Sequence, residues 1–228
     1  MLPTVPDAEN GGFKLDVSPG GTIAFAGANY DHVPTMQELT LNESFDGYGR
    51  LSQLVGNLAD PSGAFGSGYT TGAGEHVNYG TIQVWNIYNL TADTHPMHFH
   101  LFNVMVLRRG RCKLDHDGVP RLFGRGRGPE PNETGWKETV RMNPGECTTV
   151  AVLVENPFDL PEQPSGVKGD PATRRFSWKK NGVTLTSDPV PSSPRLSNEL
   201  GITADEYVWH CHILEHEEHD MMHALNAT

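Results

Sequence analysis

Tyr207-Val208-Trp209-His210-Cys211-His212-Ile213-Leu214-Glu215-His216 reads as one strand running into one turn, with Met221 following shortly after. A thiol, three imidazoles and a thioether therefore fall within a single short segment. Alternate residues of a strand face opposite sides of a sheet, so His210 and His212 point one way and Cys211 points the other. Cys, His and Met together favour copper among the biological metals, and two His with one Cys and a weak axial Met make a blue-copper electron-transfer donor set. Zinc is the rival ion, but structural zinc takes a closed set of four with paired spacing rather than one Cys between two His.

The second His of such a set must come from elsewhere. His95-Pro96-Met97-His98-Phe99-His100 is the only comparably dense stretch. Parity gives His98 and His100 one face and His95 the opposite one. Two such strands side by side predict two metal sites back to back. One collects His95, Cys211, His216 and Met221; the other collects His98, His100, His210 and His212. The peptide around Cys211 is then a short electron path between them. His32, His76 and His116 read as ordinary histidines, and surface positions are expected for His219 and His223.

Outward from these stretches, the chain reads as many short strands with almost no helical periodicity. Gln37–Asn42 alternates with period two, and Asp46–Gly49 turns the chain. Residues 60–74 form a glycine-rich excursion, with glycines at 63, 66, 68, 72 and 74. Thr81–Leu90 and His98–Leu107 read as strands. The arginine-rich stretch Arg108–Trp136 reads as a solvated loop. Lys137–Met142 and Cys147–Glu155 read as a hairpin around Asn143-Pro144-Gly145. Seven prolines between residues 156 and 205 predict a long ordered loop there, with a small hairpin from Phe176 to Leu185 turning at Asn181-Gly182. The last strand is expected over Glu206–Ile213. This pattern predicts an all-β fold, an antiparallel sandwich or Greek-key barrel with long irregular loops. Residues 1–36 read as an irregular leading segment and 37–228 as the domain that carries the metal motifs.

Composition narrows the function. A net charge of −11 argues against a nucleic-acid partner, because phosphate binding needs clustered Lys and Arg. No apolar run approaches the roughly 20 residues that cross a bilayer, so no membrane partner is expected. Met1–Asp7 has neither a basic start nor an apolar h-region, and no export signal is read there. With Cys211 assigned to a metal, Cys112 and Cys147 either form a disulfide, which would place the protein outside the reducing cytosol, or are two unrelated buried thiols.

His95-Pro96-Met97-His98-Phe99-His100 and His210-Cys211-His212-Ile213-Leu214-Glu215-His216 with Met221 resemble the third and fourth copper motifs of the multicopper oxidases. The run Ile213 to Met222, together with Leu39–Glu43, Asp46–Arg50 and Phe158-Asp159-Leu160-Pro161, is similar to the bacterial spore-coat laccase and bilirubin oxidase branch. The resemblance covers about residues 37–225, with about 165–190 resembling an insertion. It implies a cupredoxin-like fold. It implies a type 1 copper on His95, Cys211 and His216 with Met221 axial, which accepts single electrons from a small-molecule reductant such as a phenol. It further implies a type 2 copper served by His98 and a type 3 pair served by His100, His210 and His212, where dioxygen is reduced. Glu217 matches an acidic position that feeds protons to that cluster. The family uses four His-x-His pairs, and this chain carries two, 98/100 and 210/212. The resemblance is thus to a C-terminal domain, with N-terminal cupredoxin domains or another chain supplying the missing pairs. Two facing copies, a homo-oligomer, would also bring eight histidines together. An extracytoplasmic or spore-surface location is implied by the same resemblance. The alternative is a stand-alone electron-transfer or copper-binding cupredoxin without oxidase activity.

Overall fold

The computed structural model describes residues 14–15, 23–25, 28–30, 36–59, 66–70, 74–154, 156–159, 166–193 and 204–228. Three short leading strands, β1 (Lys14–Leu15), β2 (Ile23–Phe25) and β3 (Ala28–Tyr30), pair antiparallel. The rest of the expected irregular leader lies outside the described residues. The chain continues through β4 (Met36–Phe45), β5 (Leu51–Asn57), β6 (Glu75–Val77), β7 (Thr81–Asn89), β8 (His95–Phe99), β9 (Asn103–Leu114), β10 (Pro120–Arg127), β11 (Trp136–Lys137), β12 (Thr139–Met142) and β13 (Glu146–Val154). A small sheet, β14 (Lys168–Asp170), β15 (Arg175–Lys180) and β16 (Val183–Thr186), follows. The chain ends with β17 (Asp205–Cys211), a one-turn helix α1 (Leu214–Glu217) and β18 (Met222–Ala227).

Two sheets make the body. The larger has the order β10-β9-β13-β7-β4-β5, with β11 also on β9, and the smaller has the order β12-β8-β17-β18-β6. Pairing is antiparallel except β4 with β7 and β6 with β18, which are parallel. The fold is all-β, as the sequence pattern predicts, and cupredoxin-like, as the resemblance implies, but its sheets are mixed rather than purely antiparallel. Between the sheets lies a continuous core of Leu39, Leu41, Trp85, Ile87, Val104, Val150 and Val152 from one side and Met97, Phe99, Trp209, Cys211, Met221 and Leu225 from the other. A second cluster, Ile82, Val84, Met105, Leu107, Ala151 and Leu153 with Trp136, covers the other face of β7, β9 and β13. Both faces of Thr81–Asn89 are buried, and its polar side chains Gln83, Asn86 and Asn89 are each hydrogen-bonded.

Three expectations change. His98–Leu107 is not one strand: the chain breaks at Leu101, where φ is 68°, and passes from β8 in the smaller sheet to β9 in the larger. Arg108–Trp136 is not a loop, because β9 and β10 form a hairpin over it that turns at Asp115–Gly118. Arg109 is 0% exposed. Its guanidinium donates to both carboxylate oxygens of Glu133 at 3.0 and 2.6 Å, to Thr148 Oγ1 and to the Arg141 carbonyl. Four hydrogen bonds and a paired carboxylate compensate one buried cation, which is what lets it sit inside. Lys137–Met142 and Cys147–Glu155 are not a hairpin. The turn at Asn143-Pro144-Gly145 instead carries the chain from β12, paired with β8, to β13, paired with β7 and β9.

The hairpin of the proline-rich segment is present as β15–β16, with Asn181 and Gly182 at φ 54° and 80°, the two left-handed residues a two-residue turn requires. Cys112 and Cys147 are both free thiols, on β9 and β13. Burial raises Cys112 to about 12 and, together with Cys112 itself, pushes Cys147 up as well.

Candidate metal centre

The register of β17 decides where the ligand-type residues go. It pairs His210 with His98 and Cys211 with Met97 on β8, and on its other edge it pairs Trp209 with His223 and His210 with Met222 on β18. Odd-numbered residues of β8, namely His95, Met97 and Phe99, are buried, and so are Trp209 and Cys211 on β17. His95 and Cys211 therefore meet on the core side. Just after Cys211, α1 turns the chain back and swings His216 over the same spot, held by Glu217 N–H and His216 N–H on the Ile213 carbonyl.

Three donor atoms converge. Cys211 Sγ lies 3.5 Å from His95 Nδ1 and 3.6 Å from His216 Nδ1, and the two nitrogens are 3.2 Å apart. With the bond lengths of a first-row divalent ion, about 2.0 Å to nitrogen and about 2.3 Å to sulfur, a trigonal centre needs edges of about 3.5 Å and about 3.7 Å. The triangle is therefore close to the size a single ion needs, with the His–His edge of 3.2 Å slightly short. Met221 is fully buried in the same core, and its carbonyl accepts the Cys211 N–H at 3.0 Å.

The orientation of His95 is fixed from outside. The Thr91 hydroxyl donates to Asn89 Oδ1 at 2.8 Å, so it accepts from His95 Nε2–H at 2.6 Å and leaves Nδ1 bare toward Cys211. Asn89 is held in turn by its amide on the carbonyls of Asp93 and Met142. Burial, then the neighbouring His216, pushes His95 down to about 4. Burial also lowers His216 and pushes the Cys211 thiol up to about 11. Without an ion, a dry pocket of this kind keeps all three groups neutral. A divalent cation supplies the charge that would make the thiolate favourable.

On the other side of β17 stand four imidazoles. Ring centroids are 4.9 Å apart for His98–His100, 5.0 Å for His100–His210, 5.5 Å for His98–His210 and His210–His212, and 5.6 Å for His98–His212. His98 Nδ1 lies 3.1 Å from the Glu138 carbonyl and 3.0 Å from Thr139 Oγ1, and His210 Nδ1 lies 3.0 Å from the Cys211 carbonyl. Each Nδ1 so engaged leaves Nε2 facing outward. His100 Nε2 and His210 Nε2 are 3.0 Å apart, and one nitrogen each from His98, His100 and His210 fits within 4.8 Å. His100 and His212 are exposed, and this face opens on a cavity that His98, His100, Leu101, Asn103, Glu138 and Tyr207 line. Glu217 sits at the edge, with its carboxylate 3.7 Å from His210 Nδ1.

Each of the eight expected ligand residues is thus on its expected side of β17. His219 lies over Gln53 Oε1 at 3.3 Å. His223 corrects its expected surface position: it is buried, with Nδ1 3.1 Å from Glu75 Oε1 and Nε2 3.1 Å from Ser67 Oγ. Its parity with Met221 on the same extended segment carried that signal. Thr91 and Asn89 left no comparable trace, because neither residue type nor spacing marks a loop hydroxyl as the support of a histidine.

An all-β cupredoxin-like body thus carries a buried His-Cys-His triangle on one side of a strand and four imidazoles on the other. A family model described as multicopper oxidase matches residues 52–159. The chain is 26% identical over 215 residues to a laccase of Bacillus subtilis (strain 168), covering 92% of this chain and 31% of the relative. It is 30% identical over 191 residues to a laccase of Bacillus stratosphericus, covering 82% of this chain and 27% of the relative. Among solved structures, a multicopper oxidase from the hyperthermophile Aquifex aeolicus is similar over 86% of this chain and 29% of its own, at 19% identity and a TM-score of 0.45. The chain belongs to the multicopper oxidase family. It spans about a third of the length of the curated relatives it matches.

Proposed function

We propose that this chain is the type 1 copper domain of a laccase-like oxidase of the bacterial spore-coat laccase and bilirubin oxidase branch. The observation that carries this reading is the Cys211–His95–His216 triangle, closed and buried, one peptide away from an open four-histidine face. His95, Cys211 and His216 would hold a single copper, with Met221 as the weak fourth ligand. Copper bound there supplies one-electron chemistry, taking electrons singly from a phenolic or similar reductant and passing them on toward dioxygen. His98 would serve a type 2 ion, and His100, His210 and His212 would serve a type 3 pair, each side contributing half of the imidazoles such a cluster uses.

The chain's own groups set the path. His216 sits at 7% exposure and is the ligand nearest solvent on the triangle side, so an outer donor would approach through it. Cys211 carries the electron inward; its carbonyl holds His210, and its peptide joins it to His212. Glu217, part-exposed and 3.7 Å from His210 Nδ1, is placed to take a proton from water and release it on the histidine side. Val106, Val140 and the aromatic trio Trp85, Phe99 and Trp209 keep water from the core behind the triangle. The remaining imidazoles come from N-terminal cupredoxin domains of a longer chain or from another chain, including a second copy of this one.

The test is an optical and oxygen-uptake experiment on the copper-loaded chain. An intense thiolate-to-copper band at about 600 nm is expected, with no steady oxygen uptake from a phenolic donor until the missing histidines are supplied. A colourless one-to-one copper complex would end the type 1 reading. Steady oxygen consumption by the chain alone as a monomer would end the restriction to half a cluster. The completeness of the triangle within one chain favours a second reading, a stand-alone electron-transfer cupredoxin. That reading predicts the same band and a histidine face that stays free of copper even when partner domains are present.

A further inference from the structure

The smaller sheet hides a charged-type residue where the core should be apolar. Glu75, on β6, is 1% exposed. Its Oε2 accepts the Trp209 indole N–H at 2.5 Å, and its Oε1 lies 3.1 Å from His223 Nδ1. His223 Nε2 lies 3.1 Å from Ser67 Oγ, and Ser67 N–H donates to the Val55 carbonyl of β5. Four separate segments are tied through one carboxylate.

Two glycines are shaped to make this possible. Gly74 has φ 73°, and a Cβ there would stand 2.6 Å from the Ala224 carbonyl oxygen. Gly66 has φ 128°, and a Cβ there would stand 2.5 Å from Leu54 Cβ. Any other residue at 74 would push β6 off β18 and pull Glu75 away from its partners, and any other residue at 66 would shift Ser67.

The two anchors of the network flank the triangle. Trp209 is the residue two before Cys211 on the same face of β17, and His223 is the residue two after Met221. Trp209 and His223 are register partners, and the next bond along is Cys211 N–H to the Met221 carbonyl. We infer that Glu75 is a positioning residue for the Cys211–Met221 pair: by clamping Trp209 and His223 to each other it sets how deep the thiolate and the thioether stand relative to the two histidines. This inference rests on the type 1 reading and adds to it a control point outside the ligands. A purely apolar residue at 75 would leave the indole N–H and one imidazole nitrogen buried without partners, so the two strands would slide or open to satisfy them.

Copper-loaded variants test it by spectrum and reduction potential. Glu75→Leu is expected to displace and weaken the thiolate band and to move the potential. Glu75→Gln restores the band, since its carbonyl can accept from Trp209 while its amide donates to the His223 nitrogen. A folded Glu75→Leu protein with the parent's band and potential overturns the inference. Should that variant fail to fold, the parent decides by NMR. A Trp209 indole proton protected from exchange and a His223 ring nitrogen shifted by its carboxylate partner are expected. Exchange of that indole proton at the free-indole rate overturns the inference. Absence of the band in the parent itself would count against the type 1 reading alone, because the NMR arm reads the network in the metal-free chain.

Discussion

The two sides of β17 both gather imidazoles and reach opposite states. On the core side, His95, Cys211 and His216 are 0%, 0% and 7% exposed, and their three donor atoms close to within 3.6 Å. On the other side, His100 and His212 are exposed, and the four rings spread over centroid distances of up to 5.6 Å around an open cavity. One side is finished by this chain, because α1 bends His216 back and β8 delivers His95. The other ends at a surface. Alternation along a single strand is thus enough to separate a closed donor site from an open one by the thickness of a peptide.

The largest effect that can break this comparison is at its pivot. Cys211→Ser is expected to abolish the absorption of the copper-loaded chain at about 600 nm, since that band belongs to the thiolate. Retention of the band would mean that the sulfur on the core side is not the ligand. Next in size is the response of the metal-free chain to acid. Burial and His216 depress His95 from 6.5 to about 4 in the fold. Below about pH 6.5 the unfolded chain binds a proton that the fold refuses, so this contribution is complete above that pH and is lost progressively down to about pH 4, on the order of 3 kcal/mol in all. Urea midpoints of the metal-free protein across that window should fall less steeply in His95→Asn than in the parent. Equal slopes would show that the core side is wetter than its geometry implies.

The support of His95 sharpens the comparison further. Thr91→Val keeps the shape of the side chain and removes the hydroxyl that accepts from His95 Nε2. Loss of such an outer partner costs about 10–100-fold in metal affinity. Competition with a chelator of known affinity should register this loss while the band stays in place. An unchanged affinity would mean that packing alone aims the ring.

Much of this is legible in the sequence alone, and the reason is the short range of the signal. The side of each of His95, His98, His100, His210, Cys211 and His212 follows from a period of two, which a single strand imposes on itself. That His216 returns to the side of Cys211 was legible because it follows Cys211 so closely. What could not be read depended on distant partners. Arg109 sits in an arginine-rich stretch that reads as solvated, yet it is buried because Glu133, Thr148 and the Arg141 carbonyl converge on it from other elements. β12 and β13 flank a turn that reads as a hairpin, but each finds a better partner in a different sheet. His223 is a mixed case: parity with Met221 marks it as inward, but its partner Glu75 lies far off in sequence.

The smallest effect is on the open side, and its smallness is the point. His100→Ala and His212→Ala remove exposed rings, so the stability of the metal-free chain should stay within about 0.5 kcal/mol of the parent. The thiolate band should be unchanged in both, because neither ring contributes a donor to the triangle. On the proposed reading, the same substitutions are expected to matter only once partner histidines are supplied, as a loss of copper binding on that face. A copper titration of the two variants, alone and with the partner, separates these cases. If either substitution dimmed the band in the isolated chain, the peptide between the two sides would be coupling them structurally, and the open face would have to be counted as part of the closed site rather than as its neighbour.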